Sequence, residues 1–235
     1  MLDLNKHKFF ILQILKDIYT DIELANYLGF KGGTALMLFY DLPRFSFDID
    51  FNLIDVNKSN LIYEKLKNIL LRYGRIKDEA EKHFGLILVL DYGENERNLK
   101  IEISNRQFGD RYEIKNFLGI EMKVMNQSDM FAHKLCALLD RNMLANRDIF
   151  DCWYFMQNRV PVNKKIVEVR TGIDLIAYFN KCIKTIEKVN ENNFLNGLGE
   201  LMDEDMKNFV KKKIKSEVIT LLKIYEAFPI IDKSA

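Results

Sequence analysis

Residues 44–51, Arg-Phe-Ser-Phe-Asp-Ile-Asp-Phe, alternate apolar and polar side chains without a break. Strict period two is the mark of a β-strand with one face in a core and the other turned outward. The apolar face carries Phe45, Phe47, Ile49 and Phe51, and the polar face carries Arg44, Ser46, Asp48 and Asp50. Aspartate is disfavoured in strands. Two of them on one face, roughly 7 Å apart at the Cα level, repel each other. An isolated pair of this kind is satisfied by solvent. A shared divalent cation turns the repulsion into coordination, because Mg²⁺ takes carboxylate and phosphate oxygens together.

The segment upstream gives the pair a context. Lys31-Gly32-Gly33-Thr34 opens the helix-forming stretch 35–40, which Asp41-Leu42-Pro43 ends. Read alone, this is an ordinary glycine turn. Read with Asp48 and Asp50, it places glycines, helix N-terminal N–H groups and a threonine hydroxyl where a phosphate can be cradled. From Thr34 to Asp48 is 48 − 34 = 14 residues. A phosphate cradle followed at that distance by a strand-borne aspartate pair is the pattern of nucleotidyl transfer at two metals, and such sites take a third acid from a neighbouring strand. Residues 85–91 and 99–106 read as strands of an antiparallel hairpin across a polar turn at 92–98. On the second of them Lys100, Glu102, Ser104 and Arg106 face away from Leu99, Ile101 and Ile103. Glu102 is the candidate third acid.

Elsewhere the period is helical. Residues 9–28 read as an amphipathic helix stopped by Gly29, and 60–73 as another stopped by Gly74. Beyond Met125 the strand signal disappears. Ser128 is positioned to cap a helix bearing Phe131, Leu135 and Leu138, a second helix covers about 147–157, and 161–235 is helical with a polar break at 190–193. This predicts an α+β chain: a mixed-sheet part at 1–125 and a helical part at 126–235 packed on it. The chain's 235 residues hold 48% hydrophobic and 29% charged side chains, the balance of a globular protein.

Three segments together resemble the AbiEii/AbiGii family, nucleotidyltransferase-like toxins of abortive-infection and type IV toxin–antitoxin systems with a polymerase β-like core. The first is KGGTALMLFYDLPRFSFDIDF at 31–51, the second KIEIS at 100–104. The third is KLCALLDR from Lys134 with RDIFDCWYF from Arg147. The resemblance implies that Asp48 and Asp50, with Glu102, hold two Mg²⁺ ions. It leaves Glu102 either as that third metal ligand or as a base near the acceptor hydroxyl. It also implies that Gly32, Gly33, Thr34, Arg44, Ser46 and Lys134 contact the nucleotide, and that Asp148 orients Lys134 or the acceptor, supported by Asp151. It further implies an NTP substrate, a tRNA 3′ end or other RNA as acceptor, and an antitoxin encoded alongside. The alternatives are the same transfer to a small molecule or protein, or a non-catalytic module retaining the fold.

Other features read as structural. Arg147 and Asp151 are spaced for an i,i+4 surface ion pair. His7, His83 and His133 lack ligand spacing; Trp153, Tyr154 and Phe155 fit a core, and the lysines at 211–213 a solvated helix face. Cys136, Cys152 and Cys182 form no disulfide or zinc pattern and point to a reducing cytoplasm. The longest apolar run, 84–90, is too short to cross a bilayer, and the start of the chain shows no cleavable leader. With 35 basic and 34 acidic residues the net charge is +1, which argues against binding nucleic acid through bulk charge. From Arg97 to Arg147, nine basic and six acidic residues leave a local excess of 9 − 6 = +3.

Overall fold

The protein is described by a computed structural model covering residues 3–93, 96–140, 144–190 and 193–234. The turn at 92–98 and the polar break at 190–193 are thus described in part. Arg141, which ends the first half of the third motif, lies outside the described residues.

Chain contacts divide the molecule into two compact units. The first holds Met1–Asp41, Ser46–Gln107 and Tyr112–Met125; the second holds Leu42–Phe45, Phe108–Arg111 and Asn126–Ala235.

In the first unit, α1 (Leu4–Thr20) and α2 (Ile22–Tyr27) replace the single helix expected at 9–28. Asp21 is the cause. Its backbone is extended, ending α1, and its carboxylate accepts the Glu23 and Leu24 N–H groups at the start of α2. Gly29 is not a helix stop. It lies in β1 (Leu28–Lys31), where any Cβ would run into the Tyr112 ring. Then follow α3 (Gly32–Phe39), β2 (Ile49–Leu53), α4 (Ser59–Leu70), β3 (Arg75–Lys82), β4 (Gly85–Asp91), β5 (Leu99–Ser104), β6 (Tyr112–Phe117) and β7 (Ile120–Met125).

The strands form one mixed sheet in the order β3-β4-β5-β2-β1-β7-β6. β2 runs antiparallel to β1 and parallel to β5, and β1 pairs in parallel with β7. Leu28, Phe30, Ile49, Phe51, Leu53, Ile101 and Ile103 share one face and are buried. The apolar stripe of α1 (Ile11, Ile14, Leu15, Ile18) and that of α4 (Ile62, Leu66, Ile69, Leu70) complete this core. The opposite face carries Lys31, Asp50, Asn52, Glu102 and Ser104. The strand expected over 44–51 starts only at Ile49. Residues 42–45 belong to the second unit, where the Phe45 N–H donates to the Leu201 carbonyl at 2.7 Å.

The second unit is helical: α5 (Gln127–Asp140), α6 (Asn146–Gln157), α7 (Lys164–Thr171), α8 (Leu175–Glu187), α9 (Glu204–Lys212) and α10 (Ile214–Ala227). Phe131, Phe155, Phe179 and Tyr225 are buried at its centre. Ser128 lies inside α5 rather than capping it. Asn126 takes that role, its side-chain oxygen accepting the Ser128 N–H at 2.9 Å. Trp153 packs against Phe150 and Phe209, and Cys136, Cys152 and Cys182 are free and buried. Among the described residues no helix is long and apolar enough to cross a membrane.

Candidate active site

The polar face of the first unit's sheet collects the acids. Parallel pairing of β2 with β5 sets Asp50 beside Glu102. Asp48 comes just before β2, and its main-chain carbonyl accepts a hydrogen bond from the buried Thr34 hydroxyl. That bond ties the start of α3 to the approach of β2. Gly32 begins α3 with φ +80, and a Cβ there would collide with the Asp50 carboxylate. The glycine thus provides both a left-handed backbone and the room Asp50 occupies. Gly33 and Ser46 are buried in the same unit.

Lys100 completes the cluster. Its ammonium lies 3.5 Å from Asp48 and 3.0 Å from Glu102. Burial alone lowers the pKa of such a lysine, but attraction by Asp48, Glu102 and Asp50 outweighs it and the net shift is upward. Asp50 shifts up as well. Burial is the main cause, then repulsion by Asp48, with Lys100 and Lys31 opposing and Glu102 adding to the rise. Glu102 shifts down, because Lys100 more than offsets its burial. Lys31 also donates a hydrogen bond to Asn52, whose amide donates to the Tyr112 hydroxyl at 2.9 Å. Lys100 received no role from its residue type, although period two puts it on the face of Glu102. His7 also lacked any sequence signal. It is fully buried, 2.9 Å from the Phe47 carbonyl, and steadies the residue before Asp48.

The donor set suits a hard cation. Asp48 and Asp50 offer carboxylate oxygens, and the repulsion between them, which adds to burial in raising Asp50, is what a cation would relieve. Among the described residues no three His, Cys, Asp or Glu side chains stand in a ready ligating group. Lys100, between Asp48 and Glu102, already supplies a positive charge there.

Lys134 and Asp148 belong to the second unit, within a buried quartet of two cations and two anions. Lys134 on α5 reaches Asp148 at 2.9 Å and Asp151 at 2.8 Å, both on α6. Arg44 donates from Nε and a terminal nitrogen to the two Asp151 oxygens, each at 2.7 Å, and to the Phe45 carbonyl at 3.0 Å. Arg44 is therefore engaged by a buried carboxylate within its own unit, not aligned with Asp48 on a strand face. Asp151 does not form the expected surface pair with Arg147, which is exposed. Burial opposes ionisation of Asp151, but Arg44 and Lys134 prevail and hold its pKa at about 2. Lys134 shifts upward, Asp148 and Asp151 overcoming its burial and the repulsion of Arg44.

A third buried carboxylate, Asp129 on α5, accepts from the Arg111 guanidinium at 2.6 Å and from Asn163 at 2.7 Å. Arg111 also holds Asp232 at 2.6 Å. His133, discounted as a ligand, bonds Asp110 at 2.5 Å and Arg170 at 2.8 Å.

The fold has counterparts among known proteins. A Helicobacter pylori protein, JHP933, superposes with a TM-score of 0.62 at 19% identity, covering 97% of this chain and 95% of its own. A second H. pylori structure, described as a candidate nucleotidyltransferase, gives a TM-score of 0.63 at 19% identity and 95% coverage of both chains. At that identity the likeness is one of fold. No curated protein matches significantly. The sequence model of one family, described as nucleotidyl transferase AbiEii toxin of the type IV toxin–antitoxin systems, matches residues 13–218. A match over that much of its length makes this chain a member of the AbiEii nucleotidyltransferase toxin family.

Proposed function

We propose that this nucleotidyltransferase moves a nucleoside monophosphate from an NTP to an acceptor hydroxyl, that the acceptor is a tRNA 3′ end, and that the reaction needs Mg²⁺. The single observation supporting this reading is the alignment of Asp50 with Glu102 across β2 and β5, with Asp48 and Lys100 alongside. A hydroxyl oxygen attacks the α-phosphorus and gives up its proton, for which Glu102 beside Asp50 is the candidate base; the bond to pyrophosphate breaks, and negative charge builds on the phosphate oxygens.

Asp48 and Asp50 would hold the magnesium, which when bound supplies Lewis-acid stabilisation of that charge. The Gly33 and Thr34 N–H groups at the start of α3 would meet the triphosphate, and Thr34 keeps Asp48 in position through its carbonyl. With magnesium held there, Lys100 would keep Glu102, 3.0 Å away, as its partner. Lys134, held by Asp148 and Asp151, is assigned to phosphate charge on its motif. In a type IV system the chain acts as the toxin, with an antitoxin as its counterpart.

The test is incubation with Mg²⁺, each labelled NTP in turn and total tRNA. Wild-type protein labels tRNA, whereas Asp48→Ala and Asp50→Ala do not. Equal labelling by these variants sinks the reading; labelling of a small molecule in place of tRNA changes the acceptor alone.

A further inference from the structure

The two edges of the sheet differ in kind. On β3, Arg75, Lys77, Asp78, Glu79, Glu81 and Lys82 make six of eight residues charged, which discourages pairing with another strand. At the other end, β7 is the one strand that pairs with β6 among the described residues. Ile114 on β6 is 63% exposed, and Leu118 in the β6–β7 turn is 78% exposed. Leu118 also has φ +51, so a large apolar residue stands in solvent in a left-handed conformation.

The register of the hairpin shows which backbone groups this edge presents. Leu118 and Gly119 form a two-residue turn between the paired residues Phe117 and Ile120. Phe117, Lys115 and Glu113 therefore exchange main-chain hydrogen bonds with β7, while Asn116 and Ile114 point theirs outward.

We infer that β6 pairs antiparallel with β6 of a second copy of this chain, centred on Ile114. The outward groups allow three central registers. Centring on Glu113 opposes two glutamates, and centring on Lys115 opposes two lysines; both are disfavoured. Centring on Ile114 sets Glu113 of each copy opposite Lys115 of the other and brings the two exposed isoleucines together. An arrangement between residues would face outward groups with inward ones. One strand thus holds both halves of a self-complementary charge pattern, as a two-fold interface requires. Glu113 and Lys115 lie 3.3 Å apart on one face, so the dimer would join two such pairs into a four-charge network.

Sedimentation velocity over a micromolar concentration series tests this. Wild type should show a monomer–dimer equilibrium. Glu113→Lys and Lys115→Glu each turn two attractive cross-strand pairs repulsive, weakening association roughly tenfold. The double exchange, Glu113→Lys with Lys115→Glu, should restore it. Thermal melts confirm that each variant is folded, and the double exchange keeps the composition of the wild type. A wild type that stays monomeric, including one whose edge serves a different protein, overturns the inference. So do single variants that dimerise like wild type, or a double exchange that stays monomeric.

Discussion

Arg44 grips both carboxylate oxygens of Asp151 at 2.7 Å, across 107 residues of chain. Both side chains are almost wholly buried. Removing one member leaves an uncompensated charge in the interior. Arg44→Met should destabilise the protein by roughly 3–5 kcal/mol in urea unfolding. Arg44→Met with Asp151→Leu should recover much of the loss, because Lys134 and Asp148 still balance. A double variant as unstable as the single one would show that the arginine acts through packing alone.

The same contact carries a pH dependence. The pKa of folded Asp151 is held at about 2, below the ordinary carboxylate value. A depressed acid stabilises the fold above its unfolded pKa, and that contribution disappears as the pH falls through the folded one. About 2 kcal/mol should be lost between roughly pH 4 and pH 2. Unfolding free energies measured down the pH scale check this, and Asp151→Asn should lack that part of the slope.

Asp50 behaves in the opposite sense, since burial and its acidic neighbours push its pKa upward. Its ionised form is a strain on the folded state at neutral pH. Asp50→Asn should therefore raise stability by roughly 1 kcal/mol while abolishing nucleotidyl transfer. Magnesium should raise the melting temperature of wild type but have little effect on this variant. Calorimetry with and without the ion reads both effects, and a less stable Asn variant contradicts the account of Asp50.

Gly32 is the tightest steric constraint near the acids. Alanine there must adopt φ +80 and also meet the Asp50 carboxylate. Gly32→Ala should cost about 1 kcal/mol of stability. The displaced carboxylate should lower the transfer rate roughly a hundredfold. Circular dichroism alongside the labelling assay separates the two effects.

Alternation alone puts Asp50 and Glu102 on outward faces, and the β4–β5 hairpin follows from the same rule. Their adjacency does not, because a parallel ladder between β2 and β5 depends on strand order, which no local pattern encodes. β3 is unreadable for another reason: Arg75-Ile-Lys-Asp-Glu-Ala-Glu-Lys is rich in helix formers, and its pairing with β4 overrides them. β6 and β7 are short, and β6 has no clean apolar face. In the second unit, spacing groups Asp151 with Arg147 and alternation groups Arg44 with Asp48. Tertiary packing instead pairs Arg44 with Asp151.

The membership of Leu42–Phe45 and Phe108–Arg111 in the second unit sets a rule for dissecting this protein. A fragment of residues 126–235 would contain Asp151 and Asp129, yet lack Arg44 and Arg111, the guanidinium groups that neutralise them. The helical half is therefore no transferable cassette. A graft or split that respects its physics must carry two tetrapeptides from the other half, or Lys134 is left alone against Asp148 and Asp151 while Asp129 keeps only the neutral Asn163 amide.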